Sequence, residues 1–381
     1  FNGQKLLDGS FQSKRFQVGA NSGQEIALSI GSVSASGLGA NTVSTATGTA
    51  SMSAASTGTS APTNNGLAVQ TLTLTGSLGN ATVQVDVAGA SASSVASKIN
   101  QNTGSTGITA TAKTAVKLSA LSQTGNVSFT LAGDTAGATA TSGITSKTTI
   151  NAQITNKDDL SGLVAAINER SAITGIQASV GANGKAEVLL TADDGRDIVI
   201  EDFSGGAGNA ITVQGQTFDG SDGIGLKNAG GAQTLTTGAT DSARVGGYLQ
   251  FNSASALNVQ TSAAGSLLNS TNEASSLYSV ATISVSNIDG ASAAIGVLDA
   301  SIQQVSDLRA SLGAVQNRLS STVANLNSSA ENLQFSNSRV RDADVAMESS
   351  ELARAQVLMQ AGVSVLAQAN QQPQMALKLL G

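Results

Sequence analysis

Leu298, Val305, Leu312, Leu319, Leu326, Leu333 and Val340 recur at intervals of seven, and no other feature limits the fold as much. Ile295, Ile302, Val323 and Ala330 supply parts of a second row. This is the pattern of a helix whose apolar stripe lies against another helix. A ladder of that length amounts to one helix of roughly 65 Å. A helix exposing such a stripe alone is unstable or prone to aggregate. Nothing between residues 31 and 290 has the length or period to cover it. The partner is therefore expected outside this sequence, in an N-terminal segment, a neighbouring subunit, or both. The plainer alternative is an amphipathic helix laid on the chain's own strands.

The ladder slips at "VRDADVA", and a second set of sevens follows at Val345, Leu352, Met359 and Leu366, with Ala355 and Ala369 beside it. Two helices are expected, 291–340 and 345–381, joined by a connector at 341–344. Pro373 is expected to end or kink the second one.

Composition removes whole classes of chemistry. With no Cys and no His, the chain has no disulfide, no thiolate nucleophile, no imidazole ligand and no Ser-His-Asp triad. A net charge of -6 argues against a nucleic-acid partner, which needs a basic stripe. No apolar run approaches the length of a membrane span. Trp is absent and aromatics are 3%, so the cores must be built from Ala, Val, Leu and Ile. No catalytic residue, metal site or cofactor is expected.

Upstream, "FQSKRFQVGANSGQEIALSI" (11–30) alternates on both sides of a turn and reads as a β-hairpin within residues 1–40. Residues 41–66 are Ser/Thr/Ala/Gly-rich and read as a low-complexity linker. An internal repeat follows. "VASKINQNTGSTGITATA" (95–112) aligns with "LVAAINERSAITGIQASV" (163–180), with Ile99-Asn100 matching Ile167-Asn168 and Thr106-Gly107-Ile108 matching Thr174-Gly175-Ile176. Strand-like alternation precedes each copy, a short helix follows, and a strand begins at the Thr-Gly-Ile. The expected helix caps are Ser91 or Ser93 in one copy and Asp158 or Asp159 in the other. The fold class is α+β and multidomain: C-terminal helices of coiled-coil type, with β-rich outer domains of small β-α-β modules. The outer modules are assigned to 67–147 and 148–245, with a return segment at 246–290.

These residues also carry a family likeness. "FNGQKLLDGS…FQVGANSGQEI" resembles the point in bacterial flagellins where the N-terminal helical half passes into a hairpin. "SDLRASLGAVQNRLSSTVANL" resembles the flagellin C-terminal rod helix, and "RVRDADVAMESSELARAQVLMQAGVSVLAQANQQPQMALKLLG" its carboxyl terminus. The two "IN…TGI" units resemble a repeat of the variable flagellin middle. Family members carry a helical N-terminal segment before "FNG" that this sequence lacks. The resemblance implies a subunit of the extracellular flagellar filament, exported unfolded and assembled with copies of itself for motility. It implies that the seam packs on the N-terminal segment, that Val345, Leu352, Met359 and Leu366 pack in the filament core, and that an export chaperone holds the last helix. It also places Gln316, Asn317 and Arg318 on the surface an innate Toll-like receptor reads; a solvated or inter-subunit face is the alternative. Two other readings are a surface binding protein built on a flagellin scaffold, whose modules hold a glycan or host surface, and a hook–filament junction protein.

The acidic turns are weighed against simpler chemistry. Asp193, Asp194, Asp197, Asp219 and Asp222 offer clustered oxygens, but their spacing fits neither an EF-hand nor a repeated β-roll, and Gly beside Asp is ordinary turn chemistry. Glu201-Asp202 and Asp193-Asp194 are adjacent carboxylates, which point to opposite faces of a strand and do not flank a glycosidic bond.

Overall fold

The computed structural model describes residues 3–19, 23–45, 52, 55–135, 146–181, 183–218, 226–285, 288–379 and 381. Asp219, Asp222, much of the Ser/Thr-rich stretch 46–54 and residues 136–145 lie outside the described residues. In chain order the elements begin with β1 (Lys14–Gln17), β2 (Glu25–Leu28), β3 (Gly39–Ser44), β4 (Ala55–Gly58), β5 (Gln70–Thr75) and β6 (Asn80–Val85). There follow α1 (Ala92–Asn100), α2 (Thr103–Thr106), β7 (Thr109–Ser119), β8 (Gly125–Asp134), β9 (Lys147–Ile154), α3 (Ser161–Asn168), α4 (Ser171–Thr174) and β10 (Gln177–Gly181). Next come β11 (Gly184–Ala192), β12 (Asp197–Ser204), β13 (Ala210–Phe218), β14 (Leu226–Thr236), β15 (Ser242–Val245) and β16 (Tyr248–Ser253). The last are β17 (Asn258–Thr261), β18 (Asn272–Ala274), β19 (Ser276–Ser279) and one long helix, α5 (Ile288–Leu379). The chain is thus α+β, with antiparallel strands upstream and helix downstream.

The chain divides into two units, residues 1–11 with 30–308, and residues 12–29 with 309–381. The first holds two main cores. One gathers Leu72, Leu74, Val83, Val85, Val95 and Ile99 from β5, β6 and α1 and Ile108 from just before β7, together with Leu249, Phe251, Val259 and Leu268. The other gathers Phe129, Leu131, Ile150, Ile154, Leu163, Ile167 and Ile176 with Val188, Ile198, Ile200 and Val245. Strand β7 is common to both. It pairs with β11, β13 and β16, and its Ala110 lies in the first core while Val116 and Leu118 lie in the second.

The two sequence copies take the same local form. Asn100 Nδ2 donates to the Ala110 carbonyl at 2.9 Å, and the Ala110 N–H donates back to Oδ1 at 2.7 Å. Asn168 does the same with Ala178, at 2.8 and 2.7 Å. Gly107 and Gly175 close α2 and α4 in the left-handed region at φ 72° and 69°, which only glycine adopts without strain. The copy begins earlier than its sequence signature. The hairpin β5–β6 corresponds to β8–β9, and Gly76 and Gly133 admit the carbonyls of Thr106 and Thr174, which would lie 2.0 and 2.4 Å from an added Cβ. The strands on either side of each helix pair belong to different sheets: β6 pairs with β5, whereas β7 joins β11, β13 and β16. Ser91 caps α1 through the Ser94 N–H, at 3.3 Å. In the second copy Leu160 stands at the cap position, and Asp159 accepts from the Ser161 N–H just outside it.

Three expected boundaries move. The linker 41–66 contains β4 and most of β3; β3 lies between β16 and β19 with Ala40 and Val43 buried, because small polar side chains still satisfy a ladder when both neighbours are strands. The return segment 246–290 supplies β16, β17, β18 and β19 to the sheets of the first unit. The connector at 341–344 is helical, and α5 runs through it unbroken. Its residues include neither Gly nor Pro, and Ser338 Oγ reaches Asp342 Oδ2 one turn on, at 3.4 Å. A slip of the sevens is absorbed as a change of phase around one helix. Pro373 also lies inside the helix, which continues to Leu379. It forfeits a single backbone bond among Gln, Met, Ala, Leu and Lys, all good helix formers.

Candidate assembly surface

The first turns of α5 pack on the first unit through small residues. Ala294, Val297 and Ser301 are buried, and Val297 meets Ala40 and Tyr278. Gln304 grips the start of β3: its Nε2 donates to the Gly39 carbonyl at 2.9 Å, and its Oε1 accepts from the Gly39 N–H at 3.2 Å. Its Nε2 also reaches the Ala254 carbonyl. The larger side chains here point elsewhere. Ile295, Leu298 and Ile302 are exposed, one residue out of step with the buried face, and Val305 is half-buried.

In the second unit the hairpin of β1 and β2 pairs Phe16 with Ile26 and Lys14 with Leu28. Ile26 is buried, and Leu28 lines a groove of about 690 Å³ with Leu312, Val315, Gln316, Leu319, Ser320, Val323, Ala324 and Asn327. The hairpin therefore lies along the seam at Leu312 and Leu319, both half-buried. The sequence contained this cover, since the hairpin is legible at 11–30, but alternation within a hairpin does not say which helix it meets.

From Val323 to Leu379 every described side chain is exposed. Leu326 is 39% accessible, Leu333 70%, Val340 69%, Val345 69%, Leu352 57%, Met359 67% and Leu366 64%. All the seam residues thus stand on one helix, covered by the hairpin around Leu312 and Leu319 and uncovered beyond. Gln316 faces the groove, and Asn317 and Arg318 are exposed beside it.

The sevens understate the apolar surface. Phe335, Met347, Val357, Leu358, Val363 and Val365 are also exposed. At about 100° per residue, Val357, Leu358, Met359, Val363, Val365 and Leu366 spread over about 240° of the helix circumference. A helix apolar on most sides is one enclosed on most sides. The signal was present in "QVLMQAGVSVLA", where apolar residues stand next to one another rather than one turn apart.

The acidic residues are spent on separate partners. Asp194 binds Arg196, whose hydrogen bonds hold that carboxyl below its ordinary range; Asp193 pairs with Lys113 at 3.2 Å, and Glu201 with Lys147 at 2.7 Å. Among the described residues no group of three His, Cys, Asp or Glu is placed to hold a metal. No described helix is long and apolar enough to cross a membrane.

Comparison with known proteins bears on both parts of the chain. A family model described as the bacterial flagellin C-terminal helical region matches residues 295–380, and one described as the flagellin hook IN motif matches residues 71–124. B-type flagellin of Pseudomonas aeruginosa is 35% identical over 385 residues, spanning 100% of this chain and 73% of that protein. The flagellin of Bordetella bronchiseptica is 58% identical over 69 residues, 18% of each chain. That of Bacillus subtilis is 56% identical over 69 residues, 18% of this chain and 23% of its own. The first match covers almost all of the exposed helix, and the second covers β5 to β7 with the first copy of the repeat.

Proposed function

The chain belongs to the bacterial flagellin family, and from that premise we propose that it is a structural subunit of the extracellular flagellar filament, built to assemble with copies of itself and not to catalyse a reaction. The observation that carries this reading is α5 from Leu326 onward, a stretch of helix with Leu326, Leu333, Val340, Val345, Leu352, Met359 and Leu366 all exposed. Apolar side chains presented over that length are an interface awaiting its other half.

The way the apolar surface widens supports a division of labour. Around Leu312, Leu319 and Leu326 it is a stripe, suited to one or two neighbouring helices in a rod of coiled-coil type. Around Leu358 and Leu366 it wraps most of the helix, suited to a filament core where neighbours lie on several sides. The partners of the stripe are the family's N-terminal helical segment and adjoining subunits. The β-rich first unit, built on the repeated modules, faces outward. An export chaperone that shields residues 345–379 before assembly fits the same exposed surface. Gln316, Asn317 and Arg318 form the surface offered to an innate Toll-like receptor.

Removing residues 345–379 tests the reading. Filament growth should stop, while the β-sheet circular dichroism and melting of the first unit stay unchanged. Filaments formed without this segment would refute it.

A further inference from the structure

Between the two main cores of the first unit lies a buried polar cluster that plays no part in the assembly surface. Arg244 on β15 is 2% exposed, Asp197 at the start of β12 is 0%, Asn65 is 1% and Asp134 at the end of β8 is 8%. Arg244 Nη1 donates to Asp134 Oδ2 at 2.9 Å and to Asp197 Oδ2 at 3.0 Å, while its Nε donates to the Pro62 carbonyl at 2.7 Å. Asn65 Nδ2 lies 3.1 Å from each oxygen of Asp197 and 3.2 Å from the Ala90 carbonyl. Its Oδ1 accepts from the Leu67 N–H at 3.0 Å.

These segments lead straight into the two cores. Ile198, Ala243 and Val245 adjoin the cluster and belong to the core of the second copy. Leu67 and Ala90 belong to the core of the first. Nearby, Ser91 Oγ donates to the Thr135 carbonyl, at 2.5 Å, and the Gly246 N–H to the Met52 carbonyl, at 3.0 Å. Asn65 is thus the side chain through which Asp197 reaches the first core.

Among the described residues the charges that bear on Asp197 are those of the Arg244 guanidinium and the Asp134 carboxylate. The neighbouring segments 55–66 and 87–94 contain no titratable side chain. Arg196 turns to Asp194 and to the Thr174 carbonyl, and Lys147 turns to Glu201. With both carboxylates ionised, Arg244 faces two negative groups out of water, and an uncompensated buried charge is costly.

We propose that the Asp134–Arg244–Asp197 cluster is a proton-holding joint: two buried carboxylates face one guanidinium, the folded chain binds a proton there to offset the excess negative charge, and loss of that proton destabilises the joint between the two cores. Burial pushes Asp197 up to about 7, against the pull of Arg244 and Asn65 and with the help of Asp134. Unfolded Asp releases its proton near pH 4. The folded chain therefore holds a proton that the unfolded chain has lost. The stabilisation from this group is complete below about pH 4, declines as pH rises, and is gone once pH passes about 7.

The test compares the monomeric chain with its Asp134→Asn variant, which leaves Arg244 and Asp197 as a matched pair. Between pH 5 and pH 8 the melting temperature of the variant should rise by several degrees relative to the unaltered chain. A difference that does not change with pH overturns the proposal. The unaltered chain gives an independent reading through carboxyl carbon NMR with labelled aspartate. One carboxyl should titrate close to neutrality; if every aspartate titrates below about pH 5, the joint holds no proton.

Discussion

Leu366→Ala separates a residue needed for the fold from one needed for assembly. In the chain alone Leu366 is 64% accessible, so its truncation removes little buried area. The cost to the monomer should stay below about 1 kcal/mol, as for other exposed substitutions. In the filament core proposed above the same side chain would be enclosed, and its deletion should cost about 2–5 kcal/mol from transfer plus cavity. At about 1.4 kcal/mol per factor of ten, the critical concentration for subunit addition should rise between about 30-fold and several thousand-fold. Circular dichroism melting of the monomer gives the first quantity, and sedimentation of polymer against free subunit gives the second. The reasoning predicts that the two diverge. A monomer destabilised as much as the filament would mean that Leu366 is buried within its own chain, and unchanged assembly would mean that it is never enclosed.

Other consequences follow from individual contacts. Asn168→Ala should cost about 1–3 kcal/mol in chemical unfolding of the first unit, because the buried Ala178 N–H and carbonyl lose their partner; Asn100→Ala should match it, and a negligible loss in either would show that water replaces the amide. Gly39→Ala should destabilise the first unit by more than about 1 kcal/mol, since the added Cβ falls 2.2 Å from the Tyr278 carbonyl; an unchanged melting temperature would show that β19 yields. Pro373→Ala should slow amide exchange in the last turns of α5 by restoring the bond to Ala369, and an unchanged exchange rate there would show that this end is already limited by fraying.

What the sequence disclosed depended on how local the cause was. The heptads of α5 are a local code, so its helical nature and its uncovered leucines were legible in advance. The expected break at 341–344 is a change of phase within one helix, because a slip in register and a break in the chain leave the same trace in a one-dimensional pattern. The repeat was legible at its Ile-Asn and Thr-Gly-Ile signatures because the Asn side chain and the left-handed glycine are required by the turn itself. The matching strand β8 carries no such signature, since more residues separate it from β9 than separate β5 from β6, which displaces it from the 68-residue offset. Strands β3 and β4 were hidden in Ser, Thr, Ala and Gly, where no alternation marks a face. The Arg244 cluster is invisible in the sequence for a different reason: its contacts span 47, 110 and 182 residues.

The same helix has to satisfy two opposed demands, and its composition shows how. Before assembly it must hold its shape with little tertiary support, which favours Ala, Gln, Arg, Glu and Leu over β-branched residues along "ESSELARAQVLMQ". In the filament core proposed above it would lie close to several neighbours, which favours small side chains between the large ones, as in "QAGVSVLAQAN". Ala meets both demands, being the best helix former and the smallest residue that still packs. Large aromatics would meet neither, and the helix after Val297 carries only Phe335. Leucines at sevens give a stripe that one partner can cover, and the consecutive Val357, Leu358 and Met359 give a surface that one partner cannot. The number of neighbours each stretch requires is thus set by the angular spread of its apolar residues, increasing from the hairpin-covered groove at Leu319 toward the carboxyl end.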